Sequence, residues 1–397
     1  MPVHSITTRR EFLRRSLAVG AVATHAFTNV GSGFSRTRDI VFARAETQPA
    51  GRLIGTVPLS RPDATPLGQL LNTGLDGRLF TDLSTLTSDS MTTGNGQFYI
   101  RTACPAQVRE TDQWPIALGG LIRQPQRLNL DLLRSRTEAM GACLLECSGN
   151  GDPNNFGLIS SARWAGIPMS AVFERIERLP GASLVLVSGV DDPISRSGTS
   201  VPGASWIFEI EQLRRAFLAT EMNGQPLPRD HGAPVRLIVP GWYGCTCIKW
   251  VNQIDFVDQN APATAHMIEF SGRTHQRREA TLARDFLPAT IDHAAMPVRI
   301  EKWLIDGRIA YQIVGIQWGG DEPLNSLAIR FQPDQPFAPV DECPLPTTTA
   351  TWSLWSHRWT PSRPGRYEIT MRVTDPSIRT RRLDASFYRR FVEISEI

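Results

Sequence analysis

An α+β domain followed by an all-β sandwich is the fold class the sequence predicts, and three observations predict it. Helical and strand-like apolar spacings mix irregularly through the middle of the chain. From Pro297 onward only strand-like alternation remains, and the linker-like "NAPATAH" separates the two patterns. At 397 residues and 41% hydrophobic content, the chain is long enough to bury two cores. The divisions that follow are a leader at 1–45, an entry segment at 46–94, the α+β domain at 95–260 and the sandwich at 261–397.

The elements run in this order. "GQFYIRT" and "WPIALGGLI" read as strands, and "RLNLDLLRS" passes from strand into a helix that Asn129 caps. "GACLLEC" is a strand stopping at Cys147, "MSAVFERIERL" has helical spacing, and "ASLVLVSGV" is an apolar strand. "EIEQLRRAFLATEMNG" reads as a helix stopped by Asn223-Gly224, before strands in "VRLIVPGW" and "IKWVNQIDFVD". Beyond Pro297, "VRIEKWLIDG", "RIAYQIVGIQWGG", "SLAIRFQP", "TWSLWSHRW", "RYEITMRVTD" and "YRRFVEIS" supply strands for an immunoglobulin-like antiparallel sandwich.

Charge excludes some functions. Residues 1–45 hold seven arginines and two acids, so 35 basic and 37 acidic residues remain for the body. A nearly neutral body of mixed sign is neither a disordered chain nor a nucleic-acid binder. The leader itself carries "TTRREFLRR" and then a short apolar run, "SLAVGAVATHAF", too short to span a bilayer. Thr8, Arg9, Arg10, Phe12 and Leu13 resemble a twin-arginine signal peptide, with cleavage near Ala26 or after Ala45. That resemblance implies a periplasmic protein exported already folded, not an integral membrane protein. The plainer reading of the same residues is a basic amphipathic helix.

Six cysteines, Cys104, Cys143, Cys147, Cys245, Cys247 and Cys343, form no CxxC and no CxxCH. They do not read as a disulfide framework, and their spacings are unusual for a zinc site. Cys147 stands out because "LLECSGNGDPNNFG" ends a strand on a thiol and then clears bulky groups away from it. Such a cysteine is a buried residue at a tight turn, half of a disulfide, or a soft ligand held open to a transition metal. Downstream, "MNGQPLPRDHGAPVRLIVPGWYGCTCIKW" spaces His231, Arg236 and Lys249 along loop and strand. One imidazole and two permanent cations suit an anionic, phosphate-bearing ligand. Taken singly, they are a loop histidine, a surface charge and a snorkelling lysine.

Together these residues resemble the sulfite oxidase family of molybdopterin-dependent oxidoreductases. "FYIRT" is similar to that family's first cofactor-contacting strand, which implies contacts from Tyr99, Ile100, Arg101, Thr102 and Ala103, with Arg101 also catalytic. "ECSGN" is similar to its Cys-small-Gly-Asn motif and implies Cys147 as molybdenum ligand. "SGVD" implies a pterin contact at Asp191, and the long downstream block implies contacts from His231, Arg236, Cys247, Ile248 and Lys249. The expected cofactor is molybdenum–molybdopterin, with no haem domain and no c-type haem site in the chain. Electrons are therefore expected to leave for an external acceptor such as a c-type cytochrome, and the sandwich is expected to form a homodimer.

The resemblance implies two-electron oxygen-atom transfer on a small sulfur-containing substrate. The alternative is the same cofactor run in reverse, as an S- or N-oxide reductase like the exported methionine sulfoxide reductases. Two departures bear on the substrate. Gly151 stands where sulfite oxidases place an arginine, and no tyrosine occurs between Tyr243 and Tyr311. Both point to weak sulfite oxidation and a preference for a bulkier or less charged substrate.

Overall fold

Strand dominates the chain. A computed structural model describes residues 49–59, 65–106, 108, 113–151, 155–174, 176–190, 203–277, 279–381, 383 and 388–397. Asp191 and the twin-arginine residues lie outside them. Among the described residues the α-helices are Leu130–Arg134, Met169–Phe173 and Ala265–Phe270, with 3-10 turns between strands. The helical share that the apolar spacings suggested is therefore too large.

Two five-stranded sheets carry the first core. One runs in the order Gln126–Leu128, Ile116–Gly120, Val251–Val257, Leu184–Gly189, Ser205–Glu209, with a single parallel pairing, between Val251–Val257 and Ile116–Gly120. The other is antiparallel, in the order Arg236–Ile238, Phe217–Met222, Ile159–Pro168, Glu138–Glu146, with Gln225–Pro226 pairing back onto Phe217–Met222. Leu145, Trp164, Val185, Phe208, Leu218 and Ile254 meet in the cluster these sheets enclose. The second core lies between two four-stranded antiparallel sheets. They run Arg52–Val57, Ala294–Ile305, Arg308–Trp318, Ser353–Trp359, and Ala338–Pro339, Leu327–Arg330, Gly365–Val373, Arg390–Ile394. The entry segment contributes to this second assembly: Arg52–Val57 is an edge strand there, and Leu83, Leu86 and Met91 join its core.

The Glu138–Glu146 strand touches both cores by its period of two. Cys143, Leu145 and Cys147 belong to the first cluster and Leu144 to the second. A one-residue slip would exchange the faces and send Cys147 to the wrong side. Asn129 caps its helix as expected, its side chain accepting the Leu132 N–H at 2.7 Å.

Three readings need correction. The stretch read as one helix over "EIEQLRRAFLATEMNG" is a 3-10 turn at Ile210–Leu213 and then the strand Phe217–Met222. Its residues favour a helix locally, but Phe217, Leu218, Ala219 and Met222 are all buried between two neighbouring strands, and that pairing overrides propensity. Asn223 and Gly224 both take positive φ and form the two-residue hairpin turn that Asn-Gly favours, not a helix stop. "FYIRT" is not a strand; Ile100 makes only an isolated antiparallel bridge with Leu79. The linker-like "NAPATAH" contains a helix start, with the Thr264 hydroxyl accepting the Met267 N–H at 3.1 Å.

Candidate active site

The strand that ends at Glu146 delivers Cys147 to a tight turn. The Cys147 N–H donates to the Leu158 carbonyl at 3.0 Å, and the Cys147 carbonyl accepts from Asn150 N–H at 2.9 Å. Asn150 braces the turn, its side-chain oxygen accepting the Leu158 N–H at 3.0 Å. The Gly149 N–H points at the Cys147 sulfur, 3.4 Å away. Burial raises the Cys147 thiol above its ordinary pKa, while the Arg101 charge, the Gly149 N–H and the Arg273 charge favour the thiolate.

Cys147 opens into a cavity with about 780 Å³ of atom-free space, its solvent-open mouth included. Tyr99, Ile100, Arg101, Thr102, His231, Arg236, Cys247, Ile248 and Lys249 line it too, so the sequence brings nearly the whole expected set together. Ala103 does not line it; that residue packs with Leu79 and Ile100 in a small cluster of its own.

The cationic part of the cavity is built on backbone carbonyls. Arg236, 6% exposed, donates to the carbonyls of Cys247 and His231, each at 3.2 Å. Burial is the main influence lowering its pKa, and the groups that act the other way are Cys247, Tyr99 and Cys143, with no carboxylate among them. Lys249 donates to the carbonyl of Thr102 and, at 2.9 Å, to that of Asp230, with its ammonium over the Trp250 ring. His231 donates from Nε2 to the Asn95 carbonyl at 2.9 Å and packs edge-on against Phe98. Its pKa is lowered to about 4, first by burial and then by the neighbouring Lys249 and Arg236 charges. Gly232 makes the cluster possible. At its φ of 112° a side chain is strained, and a Cβ would lie 3.1 Å from both Arg236 and Lys249.

These features fit a phosphate-bearing metal cofactor. Arg236 presents buried positive charge that donates to backbone carbonyl dipoles, an arrangement that an incoming anion completes. Among the described residues no group of three or more His, Cys, Asp or Glu is placed to hold a metal. A metal at Cys147 would take its remaining donors from an organic group bound in the cavity. Replacing Arg236 with Gln should therefore lower molybdenum content after purification and leave turnover per bound molybdenum nearly unchanged. One charge-assisted bond of about 1.5–3 kcal/mol would be lost. Metal analysis beside a rate measurement checks this: full metal occupancy with collapsed turnover would make Arg236 catalytic.

Sequence reasoning missed four residues here. His266 and Phe270 line the cavity from the Ala265–Phe270 helix. Arg78 donates to the carbonyls of Leu75 and Gly77, each at 2.8 Å, and its charge interacts with those of Arg101 and Cys147. Burial first, then Arg101, lowers its pKa to about 10. Arg273 acts on Cys147 from the turn after the same helix. Neither arginine sits in a recognisable motif; only the Thr264 cap signalled that a helix would turn side chains inward. Gly151 is buried and is not among the described residues that line the cavity. Positive charge reaches Cys147 from Arg78 and Arg273 instead.

The family model for the oxidoreductase molybdopterin binding domain matches residues 102–265. The chain is 30% identical over 205 residues to sulfite oxidase of Gallus gallus, covering 47% of this chain and 44% of that protein. It is 33% identical over 186 residues to mitochondrial sulfite oxidase of Rattus norvegicus, covering 43% and 34%. It is also 30% identical over 176 residues to NADH nitrate reductase of Spinacia oleracea, covering 39% and 19%. The chain thus spans less than half the length of these relatives. Among solved structures, the sulfane dehydrogenase SoxCD of Paracoccus pantotrophus matches with a TM-score of 0.62 at 18% identity, covering 89% of this chain and 98% of that one.

Proposed function

Because this chain belongs to the sulfite oxidase family of molybdopterin-dependent oxidoreductases, we propose that it transfers an oxygen atom to the sulfur of a small anion and passes two electrons to a separate acceptor. For sulfite the balanced change is sulfite and water to sulfate, two protons and two electrons. The observation that carries this reading is that Arg101 lines the same cavity as Cys147, with Arg273 near the sulfur across Gly149 and the Arg78 charge also felt there. A neutral S-oxide would gain little from such a field, whereas an oxyanion is drawn in by it and held.

Cys147 would hold the molybdenum, and Arg236, Lys249 and His231 would hold the pterin and its phosphate. When bound, that cofactor supplies oxygen-atom transfer coupled to a two-electron redox change. The chain's part is placement. The carbonyl-braced cations fix the anionic end of the cofactor, and the Gly149 N–H steadies the thiolate. Arg101 and its neighbours orient the substrate anion. An anion beside His231 would offset its burial and favour the imidazolium form.

The test is metal analysis of protein from a molybdenum-replete host, followed by assays in both directions. We expect about one molybdenum per chain and sulfur-anion oxidation with ferricyanide or cytochrome c as acceptor. Molybdenum-loaded protein that reduces S-oxides and oxidises no sulfur anion would establish the reductase instead.

The finer features belong to the same proposal: an immunoglobulin-like class for the C-terminal sheets, a homodimer through them, a cytochrome as acceptor and periplasmic location. Location rests on Arg9 and Arg10, because the twin-arginine pathway reads the guanidinium pair. Changing both to Lys should hold the precursor in the cytoplasm, as cell fractionation would report; unchanged periplasmic recovery would point to another route.

A further inference from the structure

His266, Phe270 and Arg273 recur at steps of four and three along the Ala265–Phe270 helix and its Ser271–Arg273 continuation, so they share one face. That face turns inward at its start, where His266 and Phe270 line the cavity. Their rings pack at a tilt of 57° with centroids 4.8 Å apart, and the Arg273 guanidinium lies 5.5 Å from the centre of the Phe270 ring. His266 is held in turn, its Nδ1 accepting the Ser205 N–H at 3.1 Å. With Nδ1 accepting, the ring's proton sits on Nε2, and burial keeps the imidazole neutral by lowering its pKa to about 4. The cluster therefore carries one permanent charge, at Arg273.

The Arg273 side chain is 46% exposed and stands outside the residues that line the cavity, with Gly149 between it and Cys147. A Cβ on Gly149 would lie 3.8 Å from the Cys147 sulfur and 3.9 Å from Arg273 Nη1, so the sulfur and the guanidinium flank one bare backbone atom. The carboxylate paired with Arg273 is Glu269, one turn back along the same helix, at 3.8 Å. Both side chains are more than 40% exposed, so that pair is weak and leaves guanidinium donors for a second acceptor.

We propose that this helical face is the substrate-side wall of the active site, and that Arg273 is the specificity-determining cation that receives an oxyanion of the substrate beside Cys147. The inference deepens the proposed oxidation of a sulfur anion and rests on it. A planar guanidinium can present two parallel donors to an oxyanion, and the Phe270 ring 5.5 Å away supports its charge. The two rings also shape what can follow the anion into the cavity, since His266 and Phe270 bring aromatic surface and no second charge. A sulfur oxyanion, alone or carried on a slender chain, meets these terms, whereas a cation is repelled.

The experiment uses molybdenum-loaded enzyme and the variants Arg273→Gln and Arg273→Lys. Two quantities are read: steady-state constants for sulfite with ferricyanide, and the dissociation constant of inorganic sulfate by calorimetry. For Arg273→Gln we expect KM for sulfite and Kd for sulfate each to rise about tenfold, with kcat changed less than about threefold. Arg273→Lys should fall between, because lysine keeps the charge and loses the fork. Unchanged KM and Kd, or a fall in kcat alone, would overturn the assignment. If wild-type enzyme oxidises neither sulfite nor any other sulfur anion, the proposed reaction fails, and sulfate binding still decides the role of Arg273.

Discussion

Cys147→Ser should abolish turnover, by more than about 100-fold, while the protein stays folded. Partners in the outer shell of a metal typically change activity or affinity by about 10–100-fold, so loss of the metal's own protein ligand exceeds that. The hydroxyl is a harder donor than sulfur and stays protonated at neutral pH, so it provides neither the soft thiolate nor its charge. Folding is spared because the change is nearly isosteric at a turn braced by Asn150 and the Leu158 backbone. The measurement is turnover per bound molybdenum alongside a urea unfolding curve. Activity near wild type would remove Cys147 from the metal's coordination shell.

Glu146→Gln should lower stability by about 3–5 kcal/mol, the range for breaking one side of a buried ion pair. Glu146 is fully buried and accepts two bonds from Arg381, at 2.7 and 2.6 Å, and one from the Trp318 indole at 2.8 Å. The Asn150 amide approaches the same carboxylate at 3.3 Å, and Arg381 also donates to the Tyr388 hydroxyl at 2.7 Å. Every group around Glu146 is a donor. Gln turns one oxygen into an NH₂ that faces donors and leaves the guanidinium buried without a counter-charge. The free energy should be compared at matched molybdenum content. A loss under about 1 kcal/mol would reduce the pair to the worth of a surface bridge.

The local motifs around the site were legible because each carries its chemistry in a few adjacent residues. Cys147 with its small followers, and the run from His231 to Lys249, fall together in one cavity as expected. In the stretch before them Tyr99, Ile100, Arg101 and Thr102 line the cavity while Ala103 does not, and the backbone is no strand, since Ile100 reaches Leu79 by one bridge only. Arg78 and Arg273 were illegible for a different reason. Nothing near them in sequence marks them, and they matter only because folding brings distant turns to Cys147. The 217–222 strand was missed because its local preference and its tertiary pairing disagree, and pairing wins where both faces are buried.

The pairing of Glu146 with Arg381 spans 235 residues, and this sets an order of events during synthesis. A growing chain folds from its first-made end, yet the strand that presents Cys147 stays without its charge partner until the ribosome has made Arg381. The edge strand Arg52–Val57 waits as well, since its partner is Ala294–Ile305. Until then Glu146 is a carboxylate better left in water than in a core, and the turn it anchors has no reason to settle. Synthesis through Arg381 is thus what lets the turn beneath Cys147 settle.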